Sequence, residues 1–443
     1  MNELFYKGNE FLERRKGQII RIIDEIDEKS NENAENADFE QKEHEIIRLL
    51  GIIKDNCSED DIYHILSEIC DYWEKFPISE TIYYHAINQQ SQFFYYLQNY
   101  ERQSIRISSL IIIIYLLGSS FQSVKNSFEC DGLQTLVCVI AECSNDPIIL
   151  MLCLKAISIY PFLPEIREIF EDEGLITTIS NASLTCVDVG VFLAFSQFTN
   201  IVLSFIESIS PSFVIQSMTL LEMSQEFFII SKNHAYELQK NCLYGFHSFS
   251  IHSKERSNML LENGMIELLF SELFSYMDSK NKSLSFELVS VLLESKSEES
   301  DVIDYLMEIP YERVVDSING DPKLSTSAVE LLFSVITRFE SFVYTLYDCG
   351  VVNAVTKQFI VGNYSTKLCL MKFIFEILNN THNEECLEKI ITSDLVETIE
   401  SMYYSDCTDI SDLSFILMQK IFLLTKRPDI QMIILPHIQC DSS

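Results

Sequence analysis

The chain has 443 residues, 66 Asp and Glu against 32 Lys and Arg, a formal net charge of −34 and 47% hydrophobic residues. That apolar content excludes a disordered chain, and the shortage of cations disfavours a protein that lives on nucleic-acid phosphates. Only 12 Gly and 9 Pro are present, too few for the turns of a β-rich fold.

What remains is an acidic, all-α protein that is too long for one core, because single cores stop growing near ~250–300 residues. Residues 1–29 read as an N-terminal helical cap, with apolar positions recurring between Phe11 and Ile26. Residues 30–42 are polar and acidic, with Asn, Glu and Ala predominating, and read as a flexible linker. From residue 43 to 435 helical patterns follow one another almost without pause, and residues 436–443 form a tail. No alternating strand pattern with a hairpin turn occurs. The longest apolar run, Leu110–Leu117, has 8 residues, whereas a membrane span needs about 20. The charged start, Met1 to Arg15, has no stretch of signal-peptide type. The expectation is therefore a cytoplasmic protein, with the nucleus also allowed, and no membrane contact.

Internal repetition is the informative feature. Four segments end in a short acidic phrase, then Gly, then aliphatics. They are Phe128-Glu129-Cys130-Asp131-Gly132-Leu133, Phe170-Glu171-Asp172-Glu173-Gly174-Leu175, Leu261-Glu262-Asn263-Gly264-Met265 and Tyr347-Asp348-Cys349-Gly350-Val351. A fifth, Ile391-Thr392-Ser393-Asp394-Leu395, carries Asp in place of Gly. The spacings are 42, 90, 86 and 44 residues, or one and two periods of 42–45. Positions skipped by the phrase fall near Pro211 and Pro310, where Pro can open a helix. A Gly after a short helix can take the left-handed conformation that closes it. Each period then reads as a short helix ending at the Gly, a second helix, a polar turn, and a long apolar helix. Asp146-Pro147 and Asp321-Pro322 mark two long-helix starts, with Asp as cap and Pro in the first turn. The long helices are predicted at about 101–118, 145–161, 186–204, 233–252, 280–297, 322–338, 363–381 and 409–425.

The phrase, period and helix order resemble the armadillo repeat family, with HEAT repeats as a close alternative. The resemblance implies a right-handed superhelical α-solenoid of three-helix repeats. In that family the long third helices line a groove that binds other proteins. Its nuclear-import adaptors place a Trp and an Asn, four apart, on several of these helices. Aligned on this chain, those positions are Lys155 and Ile159 on one helix and Tyr244 and Ser248 on another. Only the second pair keeps aromatic-plus-polar chemistry, and Trp73 is the sole Trp. The import-adaptor role is therefore not carried over. Lys155, Tyr244 and Ser248 stand as candidate partner-binding residues. The family's catenin-type members, with Lys- and Arg-lined grooves, match less well because cations are scarce.

No catalytic, metal or cofactor constellation emerges. The 12 glycines never lie within four residues of one another, which removes phosphate-cradling loops. His44-Glu45 begins a zinc-protease pattern, but Arg48 stands where the second His is needed. His247 and His252 are five apart and diverge on a helix. None of the 13 cysteines forms a C-x-x-C pair, and most sit in apolar runs as small buried hydrophobes. Neither Glu171-Asp172-Glu173 nor Glu298-Glu299-Ser300-Asp301 has calcium-loop spacing.

Divided into consecutive blocks, the charge is −7 for residues 1–60, −5 for 61–145, −7 for 146–235, −8 for 236–325 and −7 for 326–443. Such an even field disfavours nucleic acid and anionic membranes and favours a neutral-to-basic protein segment. The sequence thus predicts a non-enzymatic, monomeric scaffold or adaptor that holds a partner segment along the groove. The alternative is a structural or regulatory subunit of a larger complex, which could include an enzyme.

Overall fold

A computed structural model describes residues 36–53, 57–76, 79–295, 299–428 and 430–431. The predicted cap at 1–29 and the tail at 436–443 lie outside these residues. Every regular element among the described residues is helical. They divide into two compact units, one ending at Phe213 and the other beginning at Val214.

The first unit contains α1 (Asn36–Ile52), α2 (Glu59–Lys75), α3 (Glu80–Ile87), α4 (Gln90–Asn99), α5 (Gln103–Ser119), α6 (Phe121–Glu129), α7 (Gly132–Glu142) and α8 (Pro147–Ile157). Two 3-10 turns, Tyr160–Phe162 and Pro164–Glu171, lead to α9 (Glu173–Thr185) and α10 (Val189–Phe205). Helix α11 (Pro211–Phe228) straddles the division. The second unit continues with α12 (Lys232–His252), α13 (Lys254–Glu262), α14 (Met265–Phe270), a 3-10 turn (Glu272–Tyr276), α15 (Ser279–Ser295), α16 (Glu299–Met307) and α17 (Tyr311–Ser317). It ends with α18 (Pro322–Arg338), α19 (Phe342–Asp348), α20 (Val351–Val361), α21 (Tyr364–Asn380), α22 (Glu384–Ile390), α23 (Ser393–Tyr403) and α24 (Thr408–Thr425). Helix α1 takes in positions 36–42, the second half of the predicted linker.

The eight predicted long helices are α5, α8, α10, α12, α15, α18, α21 and α24. Seven of them match to within three residues at each end. Helix α8 stops early because Pro161 and Pro164, three apart, have no amide hydrogen to continue it, and the chain tightens into 3-10 turns. Asp146, Asp188, Asp321 and Asn363 cap α8, α10, α18 and α21, each accepting from one or two first-turn amides. Within each unit the long helices pack side by side in order: α2, α5, α8 and α10 in the first, and α12, α15, α18, α21 and α24 in the second. Short helices run between them.

The turn expected at each Gly is made in two ways. Gly264 and Gly350 take the left-handed conformation at φ 77° and 79°. Asp131, not Gly132, takes it in the first repeat phrase, at φ 57°. Gly132 instead begins α7 at a point where the Ser127 hydroxyl and the Phe94 ring occupy the space of a Cβ. At the other two phrases a side chain makes the turn. Asp172 accepts from the amides of Gly174 and Leu175, and Thr392 accepts from Leu395.

Polar side chains stitch each unit at the repeat distance. Asn281 donates to the Tyr236 carbonyl (2.9 Å) and to Gln239 Oε1 (3.1 Å), 45 and 42 residues away. Ser283 and Ser327 share a 2.6 Å bond across 44 residues. The Arg313 guanidinium reaches the Phe270 carbonyl at 2.8 Å across 43 residues. In the first unit, Gln103 donates to Asp146 at 2.7 Å across 43 residues.

The apolar run Leu110–Leu117 is core: Leu110, Ile112, Ile113 and Leu116 are fully buried. No single described helix is long and apolar enough to cross a membrane. In the run Phe93-Phe94-Tyr95-Tyr96 of α4, Phe93, Phe94 and Tyr96 are buried and Tyr95 is exposed, because four consecutive residues cannot share one helix face. Of the twelve cysteines among the described residues, Cys153 and Cys242 are buried among these apolar layers and the other ten are half-buried, so the expectation that most are buried does not hold.

The two kinds of glycine separate by substitution. Gly350→Ala meets open space and only the left-handed penalty, about 1 kcal/mol. Gly132→Ala overpacks a filled site, which costs about 1–3 kcal/mol. Urea denaturation of the two variants is expected to place Gly132→Ala lower.

Candidate partner-binding face

The outward side of the long helices in the second unit carries an apolar groove of about 390 Å³. Phe333 comes from α18, Met371 and Phe375 from α21, and Leu413, Ile416 and Leu417 from α24. Lys372 and Glu376 complete the lining from α21. The spacings are helical: 371/375, 372/376 and 413/416/417 are each one turn apart. Each long helix must bury one face against its neighbours, so Leu370, Phe373, Ile374 and Ile377 of α21 are inside while 372, 375 and 376 point outward. Ile416 is 44% exposed and, further along the same helix, Leu423 is 63% exposed.

A polar row lies beside the groove. Glu287 of α15 accepts from Ser283 (3.3 Å) and Ser327 (3.1 Å), with the Lys323 ammonium 3.9 Å away. Partial burial, and then the negative field of Glu287, raise the pKa of Glu330 on α18. Burial lowers that of His247 on α12, opposed by the attraction of Glu287. The Cys369 thiol of α21 is pushed up to about 11, by burial first and then by Glu330, against the pull of Lys372. It stays a protonated thiol at neutral pH, as does Cys70, pushed up to about 12 chiefly by burial. Among the described residues no three His, Cys, Asp or Glu side chains converge as a metal site.

The three residues singled out from sequence fare differently. Lys155 is exposed on α8, on the side that also bears half-exposed Ile148. Tyr244 is half-buried on α12. Ser248, one turn later, is only 4% exposed and its hydroxyl is shut away from solvent. It therefore does not present itself to a partner, and the outward residues of that stretch are Tyr244, His247 and Ile251. Neighbouring positions differ in this way because 3.6 residues per turn lets i+3 and i+4 compete for the same face. The groove residues themselves were missed. Half-buried apolar side chains on a core helix carry no separate sequence signal.

The amides of the long helices are divided. Asn200, Gln239, Asn241 and Asn281 are buried, Gln103, Gln197 and Asn233 are exposed, and Asn380 bonds the Ile336 carbonyl (3.2 Å) and Glu376 (3.2 Å).

Charge is divided by helix type. The eight long helices hold 11 of the 32 Lys and Arg but only 7 of the 66 Asp and Glu, a net +4. The first three, α5, α8 and α10, have no carboxylate at all. The other residues together carry −38. Helix α2, which heads the row in the first unit, is the acidic exception.

No protein-family model matches the chain, and no curated protein matches it. Among solved structures, the crystal structure of an engineered protein from a structural-genomics consortium is similar, with a TM-score of 0.63 at 13% identity, covering 91% of this chain and 94% of that one. The likeness establishes a helical-repeat-like, all-helical fold.

A folded-state pKa raised for a carboxylate means that its charged form costs stability above that pKa, a cost absent below the unfolded value of ~4.3. Glu330→Gln is thus expected to raise Tm at pH 7, with the gain vanishing below about pH 4. Differential scanning calorimetry across that range checks it. A gain that persists at pH 3.5 would count against the buried charge of Glu330, disfavoured by burial first and by Glu287 second, as its source.

Proposed function

We propose that this chain is an armadillo-like solenoid whose repeats wind into a right-handed superhelix, and that it works as a non-catalytic scaffold or adaptor. A protein segment of neutral-to-basic net charge lies along the faces of the long helices. The observation that carries the reading is the apolar groove formed by three consecutive long helices, α18, α21 and α24. Apolar side chains held half-open across a packed row are what an interface core needs, with charged residues at the rim. The 42–45 residue stitching supports the repeat assignment, since one supersecondary unit cannot bury its own apolar face and must stack. The net charge of −34 acts at long range, raising the rate at which a basic partner arrives. We place the protein in the cytoplasm, as a monomer that finds its partner by diffusion.

Affinity capture tests this with the wild-type chain and with Ile416→Asp, a substitution at an exposed position. A partner held by the groove is expected to be retained by the wild type and depleted about tenfold by the variant, as for loss of one interface anchor. Equal retention by both baits would remove the groove from the reading.

A further inference from the structure

The groove is apolar, but the chemistry around it also limits what can lie there. The acidity of the molecule is not at this face. Lys372 and Glu376 line the groove with opposite charges, and Asp412 and Lys420 flank Leu413, Ile416 and Leu417 on α24. The five long helices of the second unit carry 9 Lys and Arg against 7 Asp and Glu, whereas the rest of residues 214–443 carry 8 against 26. A partner pressed into the groove therefore meets balanced charge at contact distance. The field of the remaining acids is screened beyond about 8 Å at physiological ionic strength.

The hydrogen-bonding inventory limits the partner's backbone. An extended segment brings a row of unpaired amides and carbonyls that the host must satisfy. Here no Asn or Gln lines the groove. Of the amides on its three helices, Asn379 bonds Glu376 at 3.5 Å, Asn380 bonds Glu376 and the Ile336 carbonyl at 3.2 Å, and Gln419 is half-buried on α24. A helix satisfies its own backbone and needs only an apolar stripe and a matched rim.

From this charge balance and the absence of amide side chains from the groove's lining, we infer that the groove of α18, α21 and α24 receives one amphipathic helix of a partner protein, with apolar residues at i, i+3 or i+4, and i+7 and a net charge near zero. The inference rests on the reading of the long helices as the partner-binding face. The helix seats its apolar stripe on Phe333, Phe375 and Ile416, sets an acidic residue toward Lys372 and a basic one toward Glu376. A basic excess elsewhere on the partner speeds encounter without adding to the contact.

The test uses a phage-displayed library of random 16-residue peptides, selected on the full-length chain at 0.15 M and at 0.5 M salt. Each enriched pool is then re-bound to the wild type, to Ile416→Asp and to Lys372→Glu, both substituted at exposed positions. Circular dichroism melts verify that the variants fold. The expected result is enrichment at both salts of peptides with helical apolar spacing and net charge between about −2 and +2. Their binding should fall about tenfold on Ile416→Asp. Peptides with Glu or Asp beside the stripe should weaken about threefold or more on Lys372→Glu. Enriched peptides that need the groove but are strongly basic, or have no helical spacing, overturn the inference and leave the scaffold reading standing. Peptides that bind Ile416→Asp as well as the wild type, or a selection with no enrichment, overturn the scaffold reading as well.

Discussion

Everything in this molecule depends on one constraint: a pair or triple of helices cannot bury its own apolar stripe, and must hand it to a neighbour one period away in the chain. The bonds between Asn281 and Tyr236, Ser283 and Ser327, and Arg313 and Phe270 are the polar side of that constraint. They tie residues 42–45 positions apart, because the period sets which surfaces meet. Buried amides and hydroxyls in these layers cost stability unless paired. The pairing therefore selects one stacking register as well as stabilising it.

The same constraint divides the long helices into an inward and an outward half. Inward, α5 and α21 are aliphatic and aromatic with almost no exposure. Outward, the stacking leaves shallow valleys between adjacent helices, and an apolar one crosses α18, α21 and α24. Carboxylates are sparse on these helices and frequent on the short helices and turns. The distribution keeps a charged exterior beside helices that are not dominated by one sign. Blocks of about 90 residues conceal this segregation, since each block contains two periods and averages both helix types.

The turns show how one structural need is met by different chemistry. Gly264 and Gly350 use the conformational freedom of glycine, whereas Asp131 occupies the same left-handed region with a Cβ. Asp172 and Thr392 instead hold the next helix by accepting from its first amides. Gly132, which the repeat phrase marked as a turn residue, is retained where Phe94 and Ser127 leave no volume. A motif shared in sequence is thus shared in position and only partly in mechanism.

Reading along the chain determined the helical class, the period and the places of the long helices. These follow from local rules: apolar spacing, Asp and Asn caps, and Pro at helix starts. Lys155, singled out by its place in the repeat alignment, lies outward because a charge on an apolar helix has one favourable side. Tertiary structure alone decided the rest. Ser248 is buried and His247 only half-buried because a difference of one residue, about 100° of rotation, is settled by neighbouring helices. Phe333, Phe375 and Ile416 become a groove only when α18, α21 and α24 lie side by side, bringing together residues more than 80 positions apart. The balance of charge on that face is likewise a property of stacking, since it depends on which helices share a side.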